Sequence, residues 1–335
     1  MKRLGDARPC AARATALARD MDVSVLDTMA YLTHVASASL SESFDSAVAT
    51  VERARSAVLR DARRLRGVLY SVNAELEQAM RTGEVPRVRS LIAGLTLESF
   101  LGGSLVIHCF KGATLGQVEE DCFVTALRRE FVSAYGEALR IEAPEHFERS
   151  ERFLKLAIAG LRDIDPELAA EVQSYVVEVM VCASDQVHAG SSFRTFGTIY
   201  LRELQPDQHW IVYLEHLVHE AAHLHLYALW KNDQIVMNES KGRFSSPLRR
   251  EPRPLSGIFH AMFVLARLLR ASSRLKRHPG YAGLETLWVT SNNNASNAAS
   301  LVEKFEDAWA TLHREAELTC LGEELLVSAR EMAYE

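Results

Sequence analysis

The stretch His216-Leu217-Val218-His219-Glu220-Ala221-Ala222-His223-Leu224-His225-Leu226 decides how this chain is read. It is apolar apart from its histidines and one glutamate, and it holds neither glycine nor proline. That composition predicts a helix running from just after Asp207 to about Lys231. On a 3.6-residue period His216, His219 and His223 fall at i, i+3 and i+7 on one stripe, with Glu220 one step round beside them. The five residues His219 to His223 form an HExxH pattern, which sets two imidazoles one turn apart on the same face. A lone buried histidine is best read as hydrogen-bonded to a carbonyl, but this pair with a glutamate between them reads as metal-ligating. His225 points away from the stripe and reads as structural. His216 reads as structural too, supporting a ligand or facing a substrate.

The rest of the chain surrounds that helix with more helix. It has 335 residues, 48% of them hydrophobic, enough for one large domain or two ordinary ones. From about residue 9 to 81 Ala, Arg, Glu and Leu recur at helical spacing, with breaks at Ser37–Ser43 and at Gly83–Pro86. Two more amphipathic helices are predicted over 116–141 and 146–162, the second ending near Asp163–Pro166. Gly102–Phe110 reads as a turn or short strand. Ser174–Cys182 and Phe196–Leu201, rich in β-branched residues, read as strands, with Gly190-Ser191-Ser192 as a loop between them. A Pro-rich loop from Asn238 to Pro254 leads to a second apolar helix near Ser256, and further helices close the chain over 295–333. The expected fold is therefore α+β, predominantly helical, with a small sheet packed beside the HExxH helix. A working boundary near residue 165 separates a helical N-terminal region, 1–165, suited to peptide recognition, from a metal-binding catalytic region, 166–335.

Charge and cysteine usage exclude several classes. A net charge of -6 argues against a nucleic-acid partner, and the cluster Arg60, Arg63, Arg64 and Arg66 reads as a solvated helix face. Cys10, Cys109, Cys122, Cys182 and Cys320 are odd in number and lack CxxC spacing, which predicts reduced, mostly buried thiols and a cytoplasmic location. No uninterrupted apolar run reaches the length of about 18 residues that suggests a membrane span, so no membrane partner is expected. No Gly-rich phosphate loop is present, and the sequence carries no signal for a particular oligomeric state.

A protein metal site needs at least a third ligand. Glu239 is the residue a thermolysin-like zinc peptidase would use, but it lies in a loop-like stretch without the rest of that family's second motif. The metzincin pattern fails because Leu226 and Leu229 stand where Gly and a further His are required. A further candidate, beside Glu239, is His260, a polar ring in the otherwise apolar Gly257-Ile258-Phe259-His260-Ala261-Met262-Phe263-Val264, whose plain alternative is a satisfied core histidine. The preceding Ser245-Ser246-Pro247-Leu248-Arg249-Arg250-Glu251-Pro252-Arg253-Pro254 is dense in guanidinium groups, a ready carboxylate clamp. Spacing alone leaves both iron and zinc open.

These residues carry a resemblance. An HEaaH on an apolar helix, a Ser-Pro-x-Arg stretch, an Arg-Pro pair and a Gly-x-x-His opening the next helix are similar to the HEXXH-motif domain family found beside ribosomally made, post-translationally modified peptides. The likeness covers roughly residues 185–270, with an echo in Leu318-Thr319-Cys320-Leu321-Gly322. It implies a non-haem Fe(II), 2-oxoglutarate-dependent oxygenase that hydroxylates a precursor peptide at a side-chain β-carbon. By position, His219, His223 and His260 would hold the metal. Arg249 or Arg253 would bind the distal carboxylate of 2-oxoglutarate, with Arg267 as a substitute. Glu220 would orient a ligand or the peptide, and Arg194–Tyr200 is the candidate edge strand for the peptide. Two other readings stand beside this one. One is a zinc metallopeptidase with Glu220 as general base; the other is a non-catalytic, metal-stabilised peptide-binding protein.

Overall fold

The structure, a computed structural model, describes residues 4–110, 125, 142–185, 187–249, 251–287 and 300–335. In chain order the elements are α1 (Ala11–Leu40), α2 (Asp45–Arg60), β1 (Arg64–Leu65), α3 (Gly67–Thr82), α4 (Val85–Ala93), α5 (Leu97–Phe100), β2 (Leu101–Gly102) and β3 (Val106–Cys109). There follow α6 (Phe147–Ile164), α7 (Pro166–Tyr175), β4 (Glu178–Cys182), β5 (Ala189–Ser191), β6 (Thr198–Arg202), α8 (Ile211–Trp230), α9 (Leu255–Arg277), α10 (Leu301–Glu315) and α11 (Cys320–Ala333). The fold is α+β and predominantly helical. The helix expected over 116–141 and Cys122 lie outside the described residues; the other four cysteines are free thiols.

Two compact units emerge. The first gathers Met1–Thr15, Glu148–Ser174 and Leu204–Glu335; the second gathers Ala16–Phe147 and Tyr175–Glu203. Asp165, beside the working boundary, lies inside the first unit between α6 and α7. The sheet belongs to the second unit and the HExxH helix to the first.

In the second unit, β3, β4 and β6 are parallel and β5 runs antiparallel to β6, in the order β3-β4-β6-β5. Every residue of β4 is buried, as a central parallel strand requires. Two expectations are corrected here. Gly190 and Ser191 are in a strand, because Ala189–Ser191 finds backbone partners along β6. And β6 is interior, hydrogen-bonded on both sides by β4 and β5, with Phe193–Thr195 before it in a 3-10 turn. Arg194–Tyr200 is therefore no free edge for a peptide. The arginine cluster is also corrected: the chain leaves α2 after Arg60, and the side chains of Arg64 and Arg66 are largely covered, each paired with a carboxylate at 2.6 Å.

In the first unit α8 is buried on nearly all sides, the pattern of a central core helix. Between Ile211 and Trp230 only His223, Tyr227 and Trp230 escape full burial. α9 packs against α8, α10 and α11. By length and composition alone α9 could cross a membrane, but 78% of its apolar window is buried inside the fold, as in a core helix. Its N-terminus is held by Glu239, whose carboxylate accepts the Ser256 backbone N–H at 3.0 Å and the Ser256 hydroxyl. The Leu318–Gly322 motif has a structural role. Thr319 caps α11 by accepting the Gly322 N–H at 3.2 Å, and its own N–H donates to the Ile235 carbonyl at 3.0 Å. A side chain at Gly322 would come within 2.8 Å of that carbonyl, so only glycine lets α11 approach it.

Candidate metal centre

The helix period places His219 and His223 one turn apart on α8, with ring centroids 5.1 Å from each other. What the period could not show is their meeting with α9. His223 Nδ1 and His260 Nδ1 stand 2.7 Å apart, hydrogen-bonding distance for two neutral imidazoles in which one N–H donates to the other nitrogen. Both rings are pushed toward that neutral form. Burial first, then the neighbouring His260, holds His223 well below the usual histidine range. Burial and His219 bring His260 down to about 3. Neutral imidazole is the ligating form.

The rings flank the one uncovered stripe of α8. Trp230 packs its ring 4.2 Å from His260, and Tyr227 lies 5.4 Å from His260 and 6.3 Å from His223. The Trp230 indole N–H is buried without a partner among the described residues. Neither aromatic residue was singled out from sequence, although their i+4 and i+7 spacing from His223 continues the stripe.

Beneath the pair lies a group that sequence reading passed over. Glu215, one turn before His219, is 0% exposed. Its Oε2 is 3.2 Å from His216 Nδ1 and its Oε1 is 3.8 Å from His219 Nδ1. None of these four atoms has an aligned hydrogen-bond partner among the described residues. Burial pushes the Glu215 carboxyl up, and the attraction of His216 and His219 outweighs it, leaving it below the usual carboxylate range. For His219, burial pulls down while Glu215 and Glu220 pull up, with a net rise. The signal was present: between Ile211 and Trp230 there is no lysine or arginine, so an acid there has no basic neighbour on its own helix.

The arginines separate into two groups. The backbones of Phe244 and Arg253 exchange hydrogen bonds of 2.8 Å in both directions, closing the loop that carries Arg249. The Arg249 charge reaches His219 and His223 and opposes protonation of each, a minor contribution beside burial and, at His219, the two glutamates that raise it. The Arg253 stem lies against Gly257, where an added Cβ would sit 3.1 Å from the Arg253 Cβ. Gly257 is three residues before His260, so Arg253 lies along the same face of α9. Arg267 is elsewhere: 1% exposed, it pairs with Glu171 at 2.5 Å and stacks over Phe263. His225 joins that cluster, 3.7 Å from Glu171, which fits its structural reading.

Among the described residues no three His, Cys, Asp or Glu side chains converge closely enough to enclose an ion as they stand. The donor set nevertheless suits one. Two imidazole nitrogens about 2.1 Å from a common ion lie about 3 Å apart or slightly more, so the His223–His260 pair need open by only a few tenths of an ångström. The Glu215 carboxylate, without an aligned hydrogen bond among the described residues, supplies a negative charge beside the histidines. No protein-family model matches the chain, and a search of curated proteins returns no match either.

Proposed function

We propose that the chain is a metal-dependent enzyme, a non-haem Fe(II), 2-oxoglutarate-dependent oxygenase acting on a peptide, in keeping with the family its motifs resemble. The observation that carries the proposal is the meeting of His223 and His260 from two helices, with His219 beside them and Arg249 within electrostatic reach. In this reading His219, His223 and His260 hold the iron, and the bound iron, given 2-oxoglutarate and O2, supplies the oxidant for hydroxylating a C–H bond, with succinate and CO2 as the other products.

The chain's own residues bind and orient. Arg249, or Arg253 along the His260 face of α9, pairs with the distal carboxylate of 2-oxoglutarate, for which a guanidinium fork is suited. Arg267 is already engaged with Glu171 and is the weakest of the three for that task. Tyr227 and Trp230 wall the uncovered side, giving an apolar surface for a substrate side chain while limiting water. Glu220, buried on α8, orients a ligand or the peptide. The zinc peptidase alternative loses its expected third ligand, because Glu239 caps α9. A reduced, cytoplasmic protein that modifies a precursor peptide completes the proposal.

The test is visible absorption of metal-stripped protein under anaerobic conditions on adding Fe(II) and then 2-oxoglutarate. The expected result is a weak band that needs both additions, disappears in His260→Ala and weakens in Arg249→Ala or Arg253→Ala. Tightly held zinc with Glu220-dependent peptide cleavage, and no such band, would establish the peptidase instead. Stoichiometric metal with neither activity would leave the non-catalytic binding protein.

A further inference from the structure

Glu215 is a wholly buried acid on α8. Its carboxylate is wholly inside the first unit, and the only groups that pair with it among the described residues are two imidazoles on its own helix. A carboxylate removed from water is costly unless paired and hydrogen-bonded. Here His216 Nδ1 at 3.2 Å and His219 Nδ1 at 3.8 Å face it without alignment, so the pairing is incomplete. A fold that only needed a packed helix would place leucine or methionine at this position.

An imidazole has two nitrogens, and the partner of one decides what the other can do. If Nδ1 donates its N–H to a carboxylate, Nε2 keeps its lone pair and is the atom offered to a metal, with its basicity raised. His219 Nδ1 faces Glu215 Oε1 across 3.8 Å, about 1 Å more than a hydrogen bond spans.

We propose that Glu215 is a positioning residue of the metal centre: it accepts the His219 Nδ1–H, so that Nε2 faces the ion, and its buried charge makes the core favour the ion-loaded state. The inference rests on the reading of His219, His223 and His260 as ligands. It adds a fourth residue that touches no substrate and acts through His219, while His216 Nδ1 lies 3.2 Å from the second carboxylate oxygen.

The experiment measures binding of Co(II), a spectroscopic stand-in for Fe(II), to the chelator-stripped full-length chain, by calorimetry and visible spectra. Thermal unfolding is followed with and without the ion. Wild type is expected to bind one ion per chain, and His223→Ala to bind none. Glu215→Gln is expected to lose about 10- to 100-fold in affinity and to change the Co(II) spectrum. Its ion-free unfolding temperature should change little, while the ion-induced rise shrinks. Glu215→Leu, which also removes the acceptor, should lose at least as much affinity. Wild-type affinity in both Glu215 variants, with His223→Ala still dead, overturns the inference and leaves the metal reading standing. An ion-free Glu215→Gln that is itself destabilised, with an unaltered Co(II) spectrum, overturns it as well and makes Glu215 merely structural. Failure of wild type to bind any ion removes both.

Discussion

Two buried carboxylates, one in each unit, have opposite surroundings. In the sheet unit, Glu178 opens β4 and meets Arg66 Nε at 2.6 Å, the Thr198 hydroxyl at 2.9 Å and His108 Nε2 at 3.3 Å. Burial alone would raise its pKa, but His108 and Arg66 outweigh it and hold the carboxyl near 2. In the helix unit, Glu215 is buried even more completely and, among the described residues, has only two misaligned imidazoles beside it. A fixed guanidinium makes the first a closed structural unit. The second faces the histidine stripe with no guanidinium or ammonium paired to it among the described residues. The contrast teaches that burial alone does not mark a functional acid, because the same burial accompanies a guanidinium partner in one unit and only imidazole neighbours among the described residues in the other.

The comparison can be broken most decisively at the histidines. His260→Ala should reduce divalent-ion affinity by more than about 100-fold, beyond the effect of losing a supporting residue, as calorimetry would show. No change there would make Glu215 irrelevant to metal. On the closed side, Glu178→Gln strands the Arg66 guanidinium and should cost about 3–5 kcal/mol in denaturant unfolding at neutral pH.

A pH series sharpens the same point. The folded Glu178 pKa, about 2, lies below its ordinary value of 4.5. Its contribution is therefore fully present above about pH 4.5 and is lost as pH falls toward 2. The displacement corresponds to about 3 kcal/mol, so the wild-type stability curve should drop through that window while Glu178→Gln stays flatter. By contrast, Glu215→Gln gives up the attraction of His216 and His219 but strands no fixed cation, so it should cost the ion-free protein clearly less than Glu178→Gln does. The smallest effect belongs to Glu239. Glu239→Ala should cost about 1 kcal/mol by uncapping α9, with metal affinity unchanged; a collapse of affinity would restore it as a ligand.

Much of this architecture was legible locally. The α8 helix is visible from its apolar run and its lack of glycine and proline, and β4 and β6 from their β-branched residues. The breaks at 37–43, 83–86 and 163–166 coincide with the ends of α1, α3 and α6. Arg64 and Arg66 were misread because periodicity near Arg60 suggests a continuing helix, while their partners Asp22 and Glu178 are 42 and 112 residues away. The Arg194–Tyr200 edge failed for a related reason: three residues of β5 have too little pattern to announce a strand that covers β6.

The sequence by itself determined the stripe of His216, His219 and His223, because helix geometry turns a spacing of three and four residues into a shared face. It also marked His260 and the arginine loop as residues of the right chemistry. Only the tertiary structure decided that His223 and His260, 37 residues apart, come within 2.7 Å of each other. It also decided that Arg267 is committed to Glu171, that Glu239 caps a helix, and that Glu215 is buried with no arginine or lysine paired to it among the described residues. Secondary structure follows from interactions within a few residues. Which face of α9 meets α8, and which charges are shut away from water, depends on packing across the whole first unit.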